Sequence, residues 1–159
     1  NATVEGLARS GQFSHVVLAG RNAGKHERAL AELRGACGEG AELRHLELDL
    51  GSLKSVRAFA DAFGALGLPS LDVLVLNAGI MMLPERFVTE DGFEQQMGVN
   101  HCGHFALMNL LLPSLVASGS PESPSRVVSL SSSAHFADCP LGNGDLQDLM
   151  WAADAPGYS

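Results

Sequence analysis

Short apolar runs alternate along the chain with longer stretches of helical periodicity. The runs have the length and composition of strands, and they lie at residues 15–19, 43–48, 71–76 and 126–130. The stretches between them repeat apolar residues every three or four positions, which predicts helices over residues 1–10, 22–36, 52–66 and 92–117. Gly11 is placed to end the first helix, and Ser52 is placed to cap the third.

Strands separated by helices of about a dozen residues or more are typical of β-α-β units, which form parallel sheets. Parallel strands buried on both faces are rich in valine and leucine, and the segments His15–Ala19 and Arg126–Leu130 have that composition. The pattern therefore predicts an α/β fold with buried parallel strands. Ligands bind such sheets at the carboxyl ends of the strands, so the residues that follow each strand are the functional candidates.

The 159 residues are enough for one domain, and the net charge of −8 argues against binding of nucleic acid, which needs a basic face. Cys37, Cys102 and Cys139 form no paired motif, so we expect reduced thiols in an intracellular protein, with the cytoplasm favoured. No apolar run approaches the roughly 18 residues of a membrane span. The chain does not begin with Met, so an upstream targeting segment or anchor stays open.

Four motifs follow one another at the expected places. They are Asn77-Ala78-Gly79 after the third strand, Asn100 in the long helix, Ser131-Ser132-Ser133 after the fourth strand, and Tyr158 near the last residue. In this order they closely resemble the short-chain dehydrogenase/reductase family, above all its retinol-dehydrogenase-like branch, over essentially the whole chain. The resemblance implies a Rossmann-type, doubly wound parallel sheet, with residues 1–159 forming part of an NAD(P)-binding domain.

Arg21 follows the first strand, where the family contacts the adenosine ribose. An acidic residue there would favour NAD by binding the 2′-hydroxyl, whereas a basic one accommodates a 2′-phosphate. Residues 19–22 contain no acidic side chain, and an arginine pairs well with phosphate. The resemblance therefore favours NADP(H) over NAD(H). The alternative is an exposed arginine at the start of a helix.

Two further segments, one after the second strand and one after the third, are implied to hold the adenosine half of the cofactor. Asp49 would hydrogen-bond the adenine amino group, although a purely structural cap is the alternative. Asn77 would tie down the central strands, and the loop Asn77, Ala78 and Gly79 would line the adenosine ribose, with Gly79 allowing close backbone approach; an ordinary turn is the alternative. Leu76 stands where many family members have a second asparagine.

The resemblance also assigns three catalytic roles. Ser132 would hydrogen-bond the substrate oxygen. Tyr158 would transfer the proton, assisted by a lysine four residues further on that is not in the chain. Asn100 would hold a water of the proton relay. The structural alternatives are turn chemistry for the serines, a loop aromatic for Tyr158 and a local hydrogen bond for Asn100.

The histidines at 101 and 104 invite a metal interpretation because they lie three residues apart. No third ligand accompanies them, so we expect no metal site.

The implied activity is hydride transfer between a nicotinamide and a carbonyl or alcohol, with lipophilic substrates such as retinoids or steroids. The partners expected are this small-molecule substrate and, in the full-length protein, a second copy of the chain. Two alternatives stay open: an enzyme similar to protochlorophyllide reductase, and a non-catalytic dinucleotide-binding sensor or scaffold.

The resemblance further implies that the chain is an internal piece of such an enzyme. The family's glycine-rich loop and first strand would precede Asn1, and the catalytic lysine and last strands would follow Ser159. The first strand belongs in the middle of the sheet, so the strands at 15–19 and 71–76 should each lack one hydrogen-bonding neighbour. We therefore expect these residues alone to be unstable and inactive, which a non-cooperative thermal melt followed by circular dichroism would test.

Overall fold

The computed structural model describes residues 2–37 and 41–132, and within them helices and strands alternate as predicted. The strands are β1 (His15–Gly20), β2 (Glu42–Glu47), β3 (Val73–Leu76) and β4 (Arg126–Ser129). The helices are α1 (Ala2–Arg9), α2 (Ala23–Cys37), α3 (Leu53–Ala65), the single turn α4 (Gln95–Met97) and α5 (Gly103–Ser118). Both strand pairs are parallel, which confirms the predicted α/β class.

The ends of the first and third helices follow their sequence signals. Gly11 adopts a φ of 68°, a left-handed conformation that costs a glycine little and ends α1. The side chain of Ser52 accepts a hydrogen bond from the Ser55 N–H at 3.2 Å and caps α3. The Asp91 carboxylate adds a second cap by accepting from the Leu53 N–H at 2.7 Å. These caps fix the point at which the chain turns from β2 into α3.

The first sheet pairs β1 with β2 in a register that aligns Gly20 with Glu47. Neighbouring residues of β1 join different hydrophobic clusters: Leu18 packs with side chains of α1 and α2, and Val17 with those of α3 and α5. Because side chains alternate across a strand, helices must cover both faces of this sheet. The doubly wound arrangement is confirmed for this half.

The second sheet pairs β3 with β4, aligning Leu76 with Ser129, and in the described ranges β1 and β3 do not pair with each other. A space of about 850 Å³ lies between β1 and β3 and is lined along its length by both strands. We call it the central groove. Within these ranges each of the two strands has one hydrogen-bonded neighbour, as expected.

The two sheets are joined by a shared apolar core rather than by backbone hydrogen bonds. The buried members of this core come from the end of β2, from α3, β3 and α5, and are Leu48, Leu50, Val56, Phe59, Phe63, Leu76, Leu107 and Leu111. At the start of α5, Gly103 lies against the chain at Leu50. A Cβ added to Gly103 would lie only 2.2 Å from the Leu50 carbonyl oxygen. The contact between the two halves therefore requires glycine at this position.

The prediction of one continuous helix over residues 92–117 is wrong at its start and in its continuity. Gly92 has a φ of 86° and cannot begin a helix. The buried Glu94 caps the helix instead, because its carboxylate oxygens accept from the N–H groups of Gln96 and Met97, both at 2.7 Å. A π-helical turn, Gly98–Cys102, then separates α4 from α5.

The prediction that the strands are buried on both faces is wrong for β3 and β4. All four residues of β4 are exposed, and three of the four residues of β3 are only half-buried. The two apolar clusters include no side chain of β4, and the central groove opens beside β3. The apolar composition of Arg126–Ser129 therefore predicts a strand correctly but does not predict its burial.

Candidate functional site

The central groove collects residues that follow three different strands. Arg21 follows β1, Asp49 follows β2 by two residues, and Asn77, Ala78 and Gly79 follow β3 directly. All five line the groove at the carboxyl ends of the strands, whereas the part of it between β1 and β3 is the place expected for the family's first strand. Parallel strands bring their carboxyl ends to one edge of a sheet, which is why positions so far apart in sequence meet there. The structure thus brings together all the residues predicted to bind the cofactor.

Arg21 is exposed, and in the described part of the chain no ion pair or hydrogen bond engages its guanidinium. Its side chain also borders a second cavity of about 240 Å³, shared with Asp49 and Val99. An unengaged guanidinium beside a cavity is a suitable partner for an anionic group.

Asp49 is half-buried, and it makes hydrogen bonds within the chain. Its Oδ1 accepts a hydrogen bond from the Gly51 N–H at 2.9 Å, and its own N–H donates to Ser55 Oγ at 2.9 Å. These bonds fix the turn into α3. One of the two carboxylate oxygens therefore has the structural role that was the alternative to adenine binding. Among the described residues the other oxygen has no partner, and it is free to accept from a ligand.

Asn100 holds the loop after β3 by a two-point contact. Its Oδ1 accepts from the Ile80 N–H and its Nδ2 donates to the Ile80 carbonyl, both at 2.8 Å. The side chain therefore pairs with a backbone unit as a strand residue would, and it fixes the chain directly after Gly79. The residue itself is exposed, and these bonds are the local hydrogen bonding expected as its structural alternative. Its relay role stays a prediction.

One turn later, His104 packs beneath the same region and lines the central groove. It is 9% exposed, and its Nδ1 lies 3.1 Å from the Asn100 carbonyl oxygen, which can only accept. Burial lowers the pKa of His104, so the ring is neutral at neutral pH. Burial likewise raises the pKa of the Cys102 thiol, which makes that thiol a poor nucleophile.

The catalytic candidates at the end of β4 are placed only in part. The Leu130 N–H donates to the Leu76 carbonyl at 3.0 Å, so the pairing with β3 continues just past the strand. Ser132 follows two residues later, exposed, at the edge of the sheet that also carries Asn77. Tyr158 lies outside the described residues. The pairing of Ser132 with Tyr158 therefore stays a prediction.

Comparison with known sequences decides the family. A sequence model described as short chain dehydrogenase matches residues 1–143, which is most of the chain. This chain belongs to the short-chain dehydrogenase family. The membership agrees with the resemblance carried by the four motifs.

Named relatives of this short-chain dehydrogenase are longer proteins. Polyprenol dehydrogenase of Mus musculus is 46% identical over 148 residues, a match that spans 93% of this chain and 42% of the mouse protein. Retinol dehydrogenase 13 of Homo sapiens is 46% identical over 146 residues, spanning 91% of this chain and 40% of the human protein. The chain therefore spans about two fifths of the length of these relatives.

Solved structures agree on the fold. An uncharacterised protein from Mycobacterium paratuberculosis superimposes with a TM-score of 0.72 at 42% identity, covering 99% of this chain and 48% of that one. The Pseudomonas aeruginosa RhlG/NADP active-site complex superimposes with a TM-score of 0.66 at 30% identity, covering 85% of this chain and 53% of that one. The Rossmann-type fold predicted for the short-chain dehydrogenase chain is confirmed.

Sequence reasoning missed a pair of residues beside Arg21. The rings of His26 and His45 stack with centroids 4.3 Å apart and planes inclined by 11°. The two residues come from different elements, α2 and β2, so no local pattern connects them. The only available signal was a histidine in the first turn of a helix that directly follows Gly20 and Arg21.

Two further observations concern the described ranges alone. Residues 2–37 and 41–132 contain no group of three or more histidine, cysteine, aspartate or glutamate side chains arranged to hold a metal ion. None of the described helices has both the length and the apolar character needed to cross a membrane.

Proposed function

We propose that this short-chain dehydrogenase chain belongs to an NADP(H)-dependent oxidoreductase that interconverts a carbonyl and an alcohol. The observation that carries the proposal is the convergence of Arg21, Asp49 and the Asn77–Gly79 loop on the central groove. Three loops that are unrelated in sequence meet in one space with the donors and acceptors that an adenosine ribose requires.

The residues fit the adenosine half of a dinucleotide. Arg21 offers an unengaged cation for a 2′-phosphate, and no acidic side chain at residues 19–22 competes for the ribose hydroxyl. Asp49 offers one carboxylate oxygen to an amino group. When bound, the nicotinamide cofactor supplies or accepts the hydride.

The residues near the end of β4 would act on the substrate. Ser132 would donate a hydrogen bond to the substrate oxygen and steady the charge that develops there. Tyr158 would give that oxygen a proton during reduction and take it back during oxidation. Asn100 would contribute by holding the Ile80 backbone, and with it the loop that borders the groove.

A lipophilic alcohol or carbonyl compound is the substrate class we favour. The relatives named above are called polyprenol dehydrogenase and retinol dehydrogenase 13, names that refer to long apolar alcohols. In this chain, Met81 and Met82 follow the groove-lining Ile80 and expose 69% and 76% of their surface. Flexible thioether side chains at the mouth of a site suit an extended apolar ligand.

The test uses the longest open reading frame that contains these residues. Binding of NADPH and NADH is measured by nicotinamide fluorescence. Turnover is then followed with retinal, a steroid ketone, a long-chain prenyl aldehyde and a short water-soluble ketone. We expect tighter binding of NADPH than of NADH, and faster turnover of the apolar substrates than of the short ketone.

The cofactor assignment is tested separately with Arg21→Ala. We expect this variant to weaken NADPH binding about tenfold or more and to leave NADH nearly unaffected. Arg57→Ala, the same substitution at an exposed position of α3, serves as the matched control. Equal weakening of both cofactors would contradict the 2′-phosphate role. Binding of NADPH without turnover of any substrate would favour the non-catalytic alternative.

A further inference from the structure

Two imidazole rings hold the turn that carries Arg21. His26 lies in the first turn of α2 and His45 in β2, and both are half-buried. Their rings stack face to face with centroids 4.3 Å apart. The His26 ring lies directly over Gly20, where an added Cβ would be 2.3 Å from Cε1 of that ring. A side chain at position 20 would therefore displace this imidazole.

Each ring also binds a backbone carbonyl next to Arg21. His26 Nδ1 lies 2.6 Å from the Asn22 carbonyl oxygen, and His45 Nε2 lies 3.1 Å from the Gly20 carbonyl oxygen. A carbonyl oxygen only accepts, so His26 must carry its proton on Nδ1 and His45 on Nε2. The carbonyls before and after Arg21 are therefore both tied to the same stacked pair.

His26 of this pair borders the same space as Arg21. His26, Gly20 and Arg21 all line the central groove. The Arg21 side chain itself has no partner in the described part of the chain that would hold its backbone in place. The orientation of this residue is then set through the neighbouring carbonyls, which accept from the two rings and also from the backbone N–H groups of Leu48 and His26.

We propose that the stacked pair His26–His45 is a specificity-determining element that positions Arg21 for the 2′-phosphate of an adenosine ligand. The inference rests on the proposed function, since it presupposes that Arg21 receives that phosphate. Neither histidine need touch the ligand. They act by fixing the Gly20–Asn22 backbone, so their loss lowers discrimination for the phosphate and leaves affinity for adenosine itself intact.

The test measures binding of two nucleotides, 2′,5′-ADP and 5′-AMP, by calorimetry, with the longest open reading frame that contains the chain. We expect His26→Ala and His45→Ala each to weaken 2′,5′-ADP about fivefold, the effect of losing one hydrogen bond. Binding of 5′-AMP should change less than about twofold. His15→Ala, at the opposite end of β1 and about 16 Å away along the strand, is the matched control.

Conservative variants separate positioning from folding. His26→Asn keeps a donor in the place of Nδ1, and His45→Gln keeps one in the place of Nε2, so each should recover most of the affinity for 2′,5′-ADP. Equal loss of both nucleotides in the alanine variants would mean a structural role only and would overturn the inference. So would alanine variants with unchanged binding.

Arg21→Ala distinguishes this inference from the proposed function. If Arg21→Ala weakens 2′,5′-ADP while the histidine variants do not, only the positioning role fails. If Arg21→Ala itself leaves 2′,5′-ADP binding unchanged, the cofactor assignment fails, and the role of the histidine pair fails with it.

Discussion

The carboxyl end of the β1–β2 pair carries a guanidinium, a carboxylate and two stacked imidazoles, whereas that of the β3–β4 pair carries amides and hydroxyls. Arg21 and Asp49 belong to the first end, and Asn77 and Ser132 to the second. The first set suits recognition of a charged, hydrogen-bonding ligand. The second combines the Asn77–Gly79 loop of the proposed cofactor site with Ser132, which is proposed to hold the reacting oxygen.

The two pairs also differ in how they are covered. The β1–β2 pair has helices on both faces, while β4 is exposed along its whole length. Both pairs are parallel, so they differ in how helices cover them and in the side chains at their carboxyl ends. We expect cofactor binding and chemical reaction to be separable, and the experiments below test that separation.

The largest effect is expected from Ser132→Ala. Loss of the hydroxyl should lower turnover about 10²- to 10³-fold, because the substrate oxygen loses a donor as charge develops. Binding of NADPH should stay within about twofold, since Ser132 is not among the residues proposed to bind the cofactor. The measurement is kcat for the apolar carbonyl substrate, together with the Kd for NADPH by fluorescence.

The neighbouring serine provides the control for this variant. Ser131→Ala removes an equally exposed hydroxyl one position earlier and should leave turnover within about twofold. A larger loss in Ser131→Ala than in Ser132→Ala would reassign the catalytic serine. A parallel loss of NADPH affinity in Ser132→Ala would show that the two halves do not act separately.

A second, smaller effect is expected where the halves meet. Gly103→Ala would place a methyl group against the Leu50 carbonyl oxygen, and backbone must shift to accept it. We expect a loss of about 2–3 kcal/mol in the free energy of unfolding, measured by urea denaturation. Gly64→Ala, in α3 with no atom within 4 Å, is the matched control and should stabilise by up to about 1 kcal/mol. Equal effects of the two substitutions on the free energy of unfolding would contradict a close contact between Gly103 and Leu50.

The sequence predicted the convergence at the groove but not the side-chain contacts there. Strand positions followed from apolar runs, and the roles expected for Arg21 and Asp49 came from the resemblance to the family; the structure places both residues at the groove. The stack of His26 on His45 could not be predicted, because it depends on the register that sets Gly20 opposite Glu47. The sequence of either element alone contains no pattern that predicts a contact between the two.

The long helix shows a second limit of the sequence. Periodicity over residues 92–117 gives no sign of a π-helical turn, since one extra residue in a turn barely changes the spacing of apolar positions. That turn carries Asn100, whose side chain is bonded to Ile80. The motif identified the residue, and only the backbone geometry identified its partner.

The smallest effect concerns His104, which lies beside the second half of the groove. Burial holds the pKa of this ring below its ordinary value of about 6.5. The unfolded chain therefore takes up a proton at a higher pH than the folded chain does. The free energy of unfolding should then fall as pH drops below about 6.5, with an added slope of at most about 1.4 kcal/mol per pH unit. Above that pH the contribution is fully present.

His104→Asn should remove this added slope. The asparagine amide can still donate to the Asn100 carbonyl, as His104 Nδ1 does at 3.1 Å, but it does not titrate. The measurement is urea denaturation at several pH values between about 7 and 5. If His104→Asn keeps the wild-type slope, the ring is not held neutral by burial, and the contrast between a charged first half and an uncharged second half loses its support at this residue.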